Sequence, residues 1–240
     1  MGWRAAMEAV ADVLWPPACA VCDAVLPGPG AFCEACAHEV TELPPLHCAR
    51  CAEPGAFPGG ACARCLAEPP PWEKAWAGFE HEGALARAIH RFKYEDRADL
   101  ARPLGALLAA VATEEWPRLP GVLVPLPLHE ARYRERKFDQ AALLAAELAT
   151  RSGRPLQLDW LRRTRDTARQ VGLNEALREA NVRGAFHVSR PLTGHDVVLV
   201  DDVLTTGASA REAVRVLKAA GAGRVSVLTL ASARRETSGA

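Results

Sequence analysis

The sequence predicts an α/β fold: a Rossmann-like, mostly parallel sheet flanked by helices, preceded by a small module held together by metal. Three observations predict it. Val197 to Ser209, VVLVDDVLTTGAS, reads as strand, loop and helix start. From Ala84 to Leu230 helical and strand patterns alternate, as crossover helices between parallel strands require. All eight cysteines fall between Cys19 and Cys65, as four CxxC pairs.

The 240 residues, 49% hydrophobic and 24% charged, allow one sizeable core and a small appendage. The net charge of zero hides an asymmetry. Met1 to Trp72 carries three Lys/Arg against eight Asp/Glu, and the remainder carries 26 against 21. The front is acidic and the back basic.

In chain order, residues 1–15 place Trp3, Met7, Val10 and Leu14 at helical spacing opposite Arg4, Glu8 and Asp12, which predicts a short amphipathic helix. Acids interrupt any signal-peptide core and no later run is long enough for a membrane span, so a cytoplasmic location is expected.

Residues 16–68 carry the cysteines. Cys48, Cys51, Cys62 and Cys65 repeat the spacing of Cys19, Cys22, Cys33 and Cys36 in full, so C-x2-C-x10-C-x2-C is written twice. Two thiolates on one tight turn grip a metal from one side, and two such turns complete a tetrahedral site, the geometry of a structural zinc ribbon. A disulfide framework has no secretion signal to support it, and a redox role needs no four copies. An iron–sulfur cluster is the remaining alternative to zinc. Grouping by quartet is the simplest assignment, although the similar gaps also permit exchange of pairs. Large apolar residues here are few, so metal must supply most of the folding free energy. With Arg50 and Arg64 almost alone against the acids, this module is read as a docking scaffold and not a phosphate binder.

The proline joint Glu68–Trp72 marks the start of the second domain, residues 69–240. Helices are expected over Ala84–Tyr94 and Leu100–Ala112. Lys93 and Tyr94 lie in a run of mixed sign, RFKYEDR, that fits a solvated helix end as well as a site. Val122–Pro127 reads as the first core strand, Phe138–Ala149 as the helix after it, and Leu156–Leu161 as a short strand. Between strand and helix, HEARYRERKFDQ reads as a basic loop whose Arg132 and Arg136 would meet anionic ligand groups at a strand's carboxyl end. Arg162–Arg183 lacks an apolar stripe and reads as a mobile lid. Ala185–Val188, Val197–Val200 and Arg224–Leu230 read as strands, Ala210–Ala220 as a helix, and ARRETSGA as a frayed tail.

The motif carries the chemistry. Thr205, Thr206, Gly207, Ala208 and Ser209 permit a close turn whose N–H groups, with the helix dipole, favour a phosphate. Asp201 and Asp202, adjacent at the strand end, are costly to bring together unless ribose hydroxyls or hydrated Mg²⁺ share their charge. Together they point to a ribose 5-phosphate. A signalling receiver domain, which also opens on paired acids, would need more chain than follows Asp202.

VVLVDDVLTTGAS resembles the phosphoribosyl pyrophosphate (PRPP) signature of type I phosphoribosyltransferases. With VPLPLHEARYRERKFDQ, RTRDTARQVGLNEALREANVRGAF and the four CxxC pairs, nearly the whole chain resembles the ComF family, which joins a double zinc ribbon to such a domain. That resemblance implies that Thr205–Ser209 hold the 5-phosphate, that Asp201 and Asp202 hold the ribose hydroxyls, and that Mg²⁺ with Arg132 and Arg136 neutralises pyrophosphate. It also implies a part in handling internalised single-stranded DNA during natural transformation, through the basic second domain, with other competence proteins met by the zinc module. Transfer to an unidentified small acceptor, or PRPP and DNA binding without turnover, are the alternative activities. One departure stands out: the family usually has Arg-Gly-Phe-Asn-Gln where this chain has Arg136, Lys137, Phe138, Asp139 and Gln140. If the glycine serves a positive φ, Lys137 costs about 1 kcal/mol or shifts the turn.

Overall fold

The computed structural model describes residues 16–115, 121–166 and 175–233. The expected N-terminal helix and most of the expected frayed tail lie outside them.

The core is a parallel sheet in the order β1–β6–β5–β2, formed by β1 (Ala75–Glu80), β2 (Val122–Pro125), β5 (Val197–Leu204) and β6 (Val225–Ser232). Strand alternation divides its side chains between two layers. Val198, Val200, Leu228 and Leu230 pack with Leu85, Ile89 and Phe92 of α3 (Gly83–Tyr94), Leu104 and Leu108 of α4 (Ala101–Glu115), and Leu144 and Leu148 of α6 (Gln140–Ser152). Val197, Leu199, Val225 and Val227 pack with Ala213, Val214 and Leu217 of α8 (Ala208–Ala219). Both faces are covered, so the central strands are apolar almost throughout, as a parallel sheet demands.

Four expectations change. β1 was not foreseen, because AWAGFE has low strand propensity. Parallel pairing with β6 makes it a strand, and Gly78 there makes room for Val111, whose Cγ2 a Cβ would meet at 2.0 Å. Val122–Pro125 is therefore the second strand in the chain, at a sheet edge. The basic segment after it is not a loop but a helix, α5 (Glu130–Arg136), which buries no residue and so shows no apolar stripe. Of the expected lid Arg162–Arg183, residues 167–174 lie outside the described residues, and the two ends are regular structure. The segment begins in β3 (Leu161–Arg163), which pairs antiparallel with β4 (Phe186–Val188), and ends in α7 (Glu175–Val182). Leu156 makes only an isolated parallel bridge to Leu123.

The cysteine module carries two short helices, α1 (Glu34–Ala37) and α2 (Ala63–Ala67), each opening on a cysteine. Its joint to the sheet domain is packed, with Pro70 buried and Trp72 in the layer under α8.

Candidate metal centres and phosphate cleft

The metal centres form as two quartets. The Sγ atoms of Cys19, Cys22, Cys33 and Cys36 lie within 4.8 Å of one another, as do those of Cys48, Cys51, Cys62 and Cys65. Grouping by quartet is therefore what the fold produces. In the second site the Cys62 N–H donates to Cys48 Sγ at 3.2 Å, the kind of bond that steadies a thiolate knuckle. Burial pushes the Cys36 and Cys65 thiols up to about 12, so four thiolates together need a cation among them. Four convergent sulfurs fit the two structural zinc ions of a double zinc ribbon.

The second feature is a cleft of about 670 Å³ at the carboxyl ends of β2 and β5. It opens because β2 stops at Pro125, paired with Val200, while β5 continues beside β6 to Leu204. The acids therefore lie inside the strand and not at its end. Alternation sets Asp202 on the α3 face with Val200, and Asp201 on the other. Both still line the cleft, with Thr205, Gly207, Ala208, Ser209, Arg132 and Arg136. Thr206 is not among the lining residues. Its hydroxyl instead accepts from Ala208 N–H at 3.4 Å, tightening the turn. Gly207, at φ 78°, caps α8 in the left-handed conformation that only glycine adopts without cost.

The acids differ in their partners. The Asp201 carboxylate accepts from the Asp202 N–H at 2.9 Å, and burial, then Asp202, push its pKa well above the usual range. Asp202 accepts from Lys93 Nζ at 2.7 Å, with side chains 7% and 21% exposed. Lys93 is thus a residue of the cleft. The residue pattern of RFKYEDR could not decide this, since its partner lies on another element.

Arg136 donates to Gln140 Oε1 at 3.0 Å and lies over the Tyr94 ring, 4.8 Å from its centre. Asp139, where the family usually has Asn, caps α6: one oxygen accepts from Ala142 N–H and the other from Leu128 N–H, at 3.0 and 2.8 Å. A carboxylate fills both acceptor places, which an amide with one oxygen cannot. Lys137 does sit at positive φ, 65°, closing α5, and its ammonium pairs with Asp96. The turn keeps its left-handed geometry without glycine.

Apart from the cysteine quartets, no group of three acids or histidines converges anywhere among the described residues. Among the described residues the cleft therefore offers no all-protein cage for a divalent ion. No helix of the described residues is long and apolar enough to cross a membrane.

Two family models match: a double zinc ribbon domain over residues 10–75 and a phosphoribosyl transferase domain over 139–239. The DNA utilization protein YhgH of Salmonella typhimurium is 34% identical over 83% of this chain and 89% of its own length. Competence protein F of Haemophilus influenzae is 28% identical over 84% and 90%. Competence protein ComFC of Bacillus subtilis is 29% identical over 63% and 61%. A solved structure of the allosteric regulatory enzyme of purine biosynthesis, 26% identical, aligns with 58% of this chain and 29% of its own, with a TM-score of 0.41. Two zinc-ribbon quartets ahead of a phosphoribosyltransferase fold, and a relative matched along most of both chains, place this protein in the ComF family, with competence protein F and YhgH.

Proposed function

We propose that the cleft binds PRPP with Mg²⁺ and that the protein serves in handling internalised single-stranded DNA during natural transformation. One observation carries the first half. The glycine turn at the start of α8, both acids, Arg132 and Arg136 all face one cleft. The N–H groups of Thr205–Ser209 and the α8 dipole suit the 5-phosphate, and the acids suit the ribose hydroxyls. Arg132 and Arg136, presented by α5, suit the pyrophosphate, and Mg²⁺ bound with it would neutralise further charge. In transfer, the bond from ribose C1 to pyrophosphate breaks as the acceptor bonds to C1 and gives up a proton. The acids would steady positive charge on the sugar through its hydroxyls.

The second half rests on the relatives' names and on charge. The basic second domain is the surface for single-stranded DNA, and the zinc module the surface for other competence proteins. Binding without turnover is the second reading, favoured because Lys93 already occupies Asp202.

Melting the full-length chain with PRPP, with and without Mg²⁺, tests the site, since a native-state ligand raises stability. Asp201→Ala/Asp202→Ala should abolish the shift. A shift that survives the double change removes the acids from the site. Pyrophosphate release with candidate acceptors separates transfer from simple binding. Salt-dependent DNA binding confined to residues 1–72 would sink the charge assignment.

A further inference from the structure

We infer that Lys93 is the resident cation of the sugar-phosphate cleft: its ammonium takes at Asp202 the place a divalent ion would otherwise fill, so PRPP binding does not depend on added Mg²⁺, which when present rides on the pyrophosphate. This deepens the PRPP reading and depends on it.

The pair is close and enclosed, Nζ to Oδ2 at 2.7 Å, yet both residues line the cleft. An enclosed lysine–carboxylate pair does little for stability compared with apolar residues of the same size, because desolvation offsets the attraction. Its place among ligand-facing groups is better explained by what the ammonium meets there. One of its three N–H donors serves Asp202, leaving two for ribose or phosphate oxygens.

The alternatives for holding a metal at this point are already engaged. Asp139 gives both oxygens to backbone N–H groups of Leu128 and Ala142. Asp201 accepts from the Asp202 amide, and no third acid or histidine converges on the two among the described residues.

Lys93 is also delivered by a fixed helix. Ile89 and Phe92 are buried in the core beneath it, and Arg87 and Arg91 of the same helix are pinned to Glu39 and Asp23. Lys93 is therefore set at Asp202 before any ligand arrives, a preorganised charge.

The test is calorimetric titration of PRPP into the full-length chain, in buffer freed of divalent ions by a resin and then in Mg²⁺, with bound zinc measured before and after. Wild type should bind with Kd values within about threefold of each other in the two buffers. Lys93→Met should weaken binding about tenfold or more without Mg²⁺ and recover with it, since truncating an enclosed charge strands its partner. Lys93→Arg should behave as wild type. A purely structural lysine would weaken both buffers equally, and that result overturns the inference, as does a wild type that requires Mg²⁺. In both cases the PRPP reading stands. A wild type that binds PRPP in neither buffer sinks that reading and the role of Lys93 with it. If Lys93→Met does not melt as a folded protein, the wild-type comparison alone decides.

Discussion

The two four-cysteine sites share one spacing but not one attachment. The first is built into the sheet domain. Ala84 of α3 packs with Cys19, Leu26 and Cys36, and Glu42 bridges to Phe79 of β1. Leu43 N–H donates to Gly78 O at 2.8 Å and Glu80 N–H to Thr41 O at 2.9 Å. Arg91 donates to the carbonyls of Ala20 and Val21 and pairs with Asp23, which Arg97 also meets, while Arg87 pairs with Glu39. Around the second site, among the described residues, Phe57 and Ala61 are the apolar side chains that pack on the cysteines. Its tie to the rest runs through Trp72, whose Nε1 donates to Arg50 O at 2.5 Å and whose ring lies under Arg211. The same metal knuckle thus serves once as part of a domain interface and once as a local clasp. The acidic front and basic back are in part the two sides of that interface.

The largest expected contrast comes from removing one ligand at each site. Cys19→Ser should lose one of two zinc equivalents and the single cooperative melt of the chain, because the first metal's folding energy also holds β1 and α3. Cys48→Ser should lose one zinc as well but keep the sheet's melt within about 5 °C. Equal losses in a calorimeter would erase the distinction. Next, Arg91→Ala removes bonds to two carbonyls and to Asp23 from a side chain only 14% exposed, and should cost about 3 kcal/mol. Because α3 also carries Lys93, PRPP binding should weaken in the same variant. A stability loss with unchanged PRPP affinity would uncouple the zinc end of α3 from the cleft end.

The two ends should also answer oppositely to pH. Burial pushes Asp201 up, so the folded chain keeps a proton there that the unfolded chain releases, and stability falls as pH rises from the unfolded value through the folded one. Asp201→Asn should therefore raise the melting temperature at pH 7 and flatten that fall, while weakening PRPP binding. Hydrogen bonds from Arg91 and then Arg97 hold Asp23 low, so its contribution is present above the unfolded value and is lost as pH falls through the folded one. Asp23→Asn should lower stability at neutral and alkaline pH and converge on wild type in acid, where the contribution is already lost. Melting curves across pH for the two variants check both signs. The smallest effect is expected at Lys137→Gly: relief of the left-handed turn gains at most about 1 kcal/mol, less whatever the exposed Asp96 pair contributes.

Much of this was readable in advance, and the reason differs from one element to the next. The motif strand and its helix announce themselves through an apolar run and a glycine turn, and α6 through its periodicity. β1 was hidden because its residues favour a strand only once β6 lies beside them. α5 was hidden because a helix that buries nothing leaves no stripe to read, although His129 accepting from Ala131 N–H and the Glu130–Arg134 pair hold it. Within the cleft, the threonines, glycine, acids and arginines were legible from local chemistry. Lys93 was not, since either a solvated end or a site fits its neighbours.

The sequence by itself determined the cysteine knuckles, the acid-and-glycine motif and the alternating α/β pattern, because each depends on residues near one another in the chain. Only the tertiary structure decided that Asp202 answers to Lys93, that the first zinc site is an interface and the second a clasp, and that AWAGFE is a strand. These are contacts between distant segments. Their energies come from desolvated charge and sheet pairing, which exist only after the helices and strands have been packed against each other.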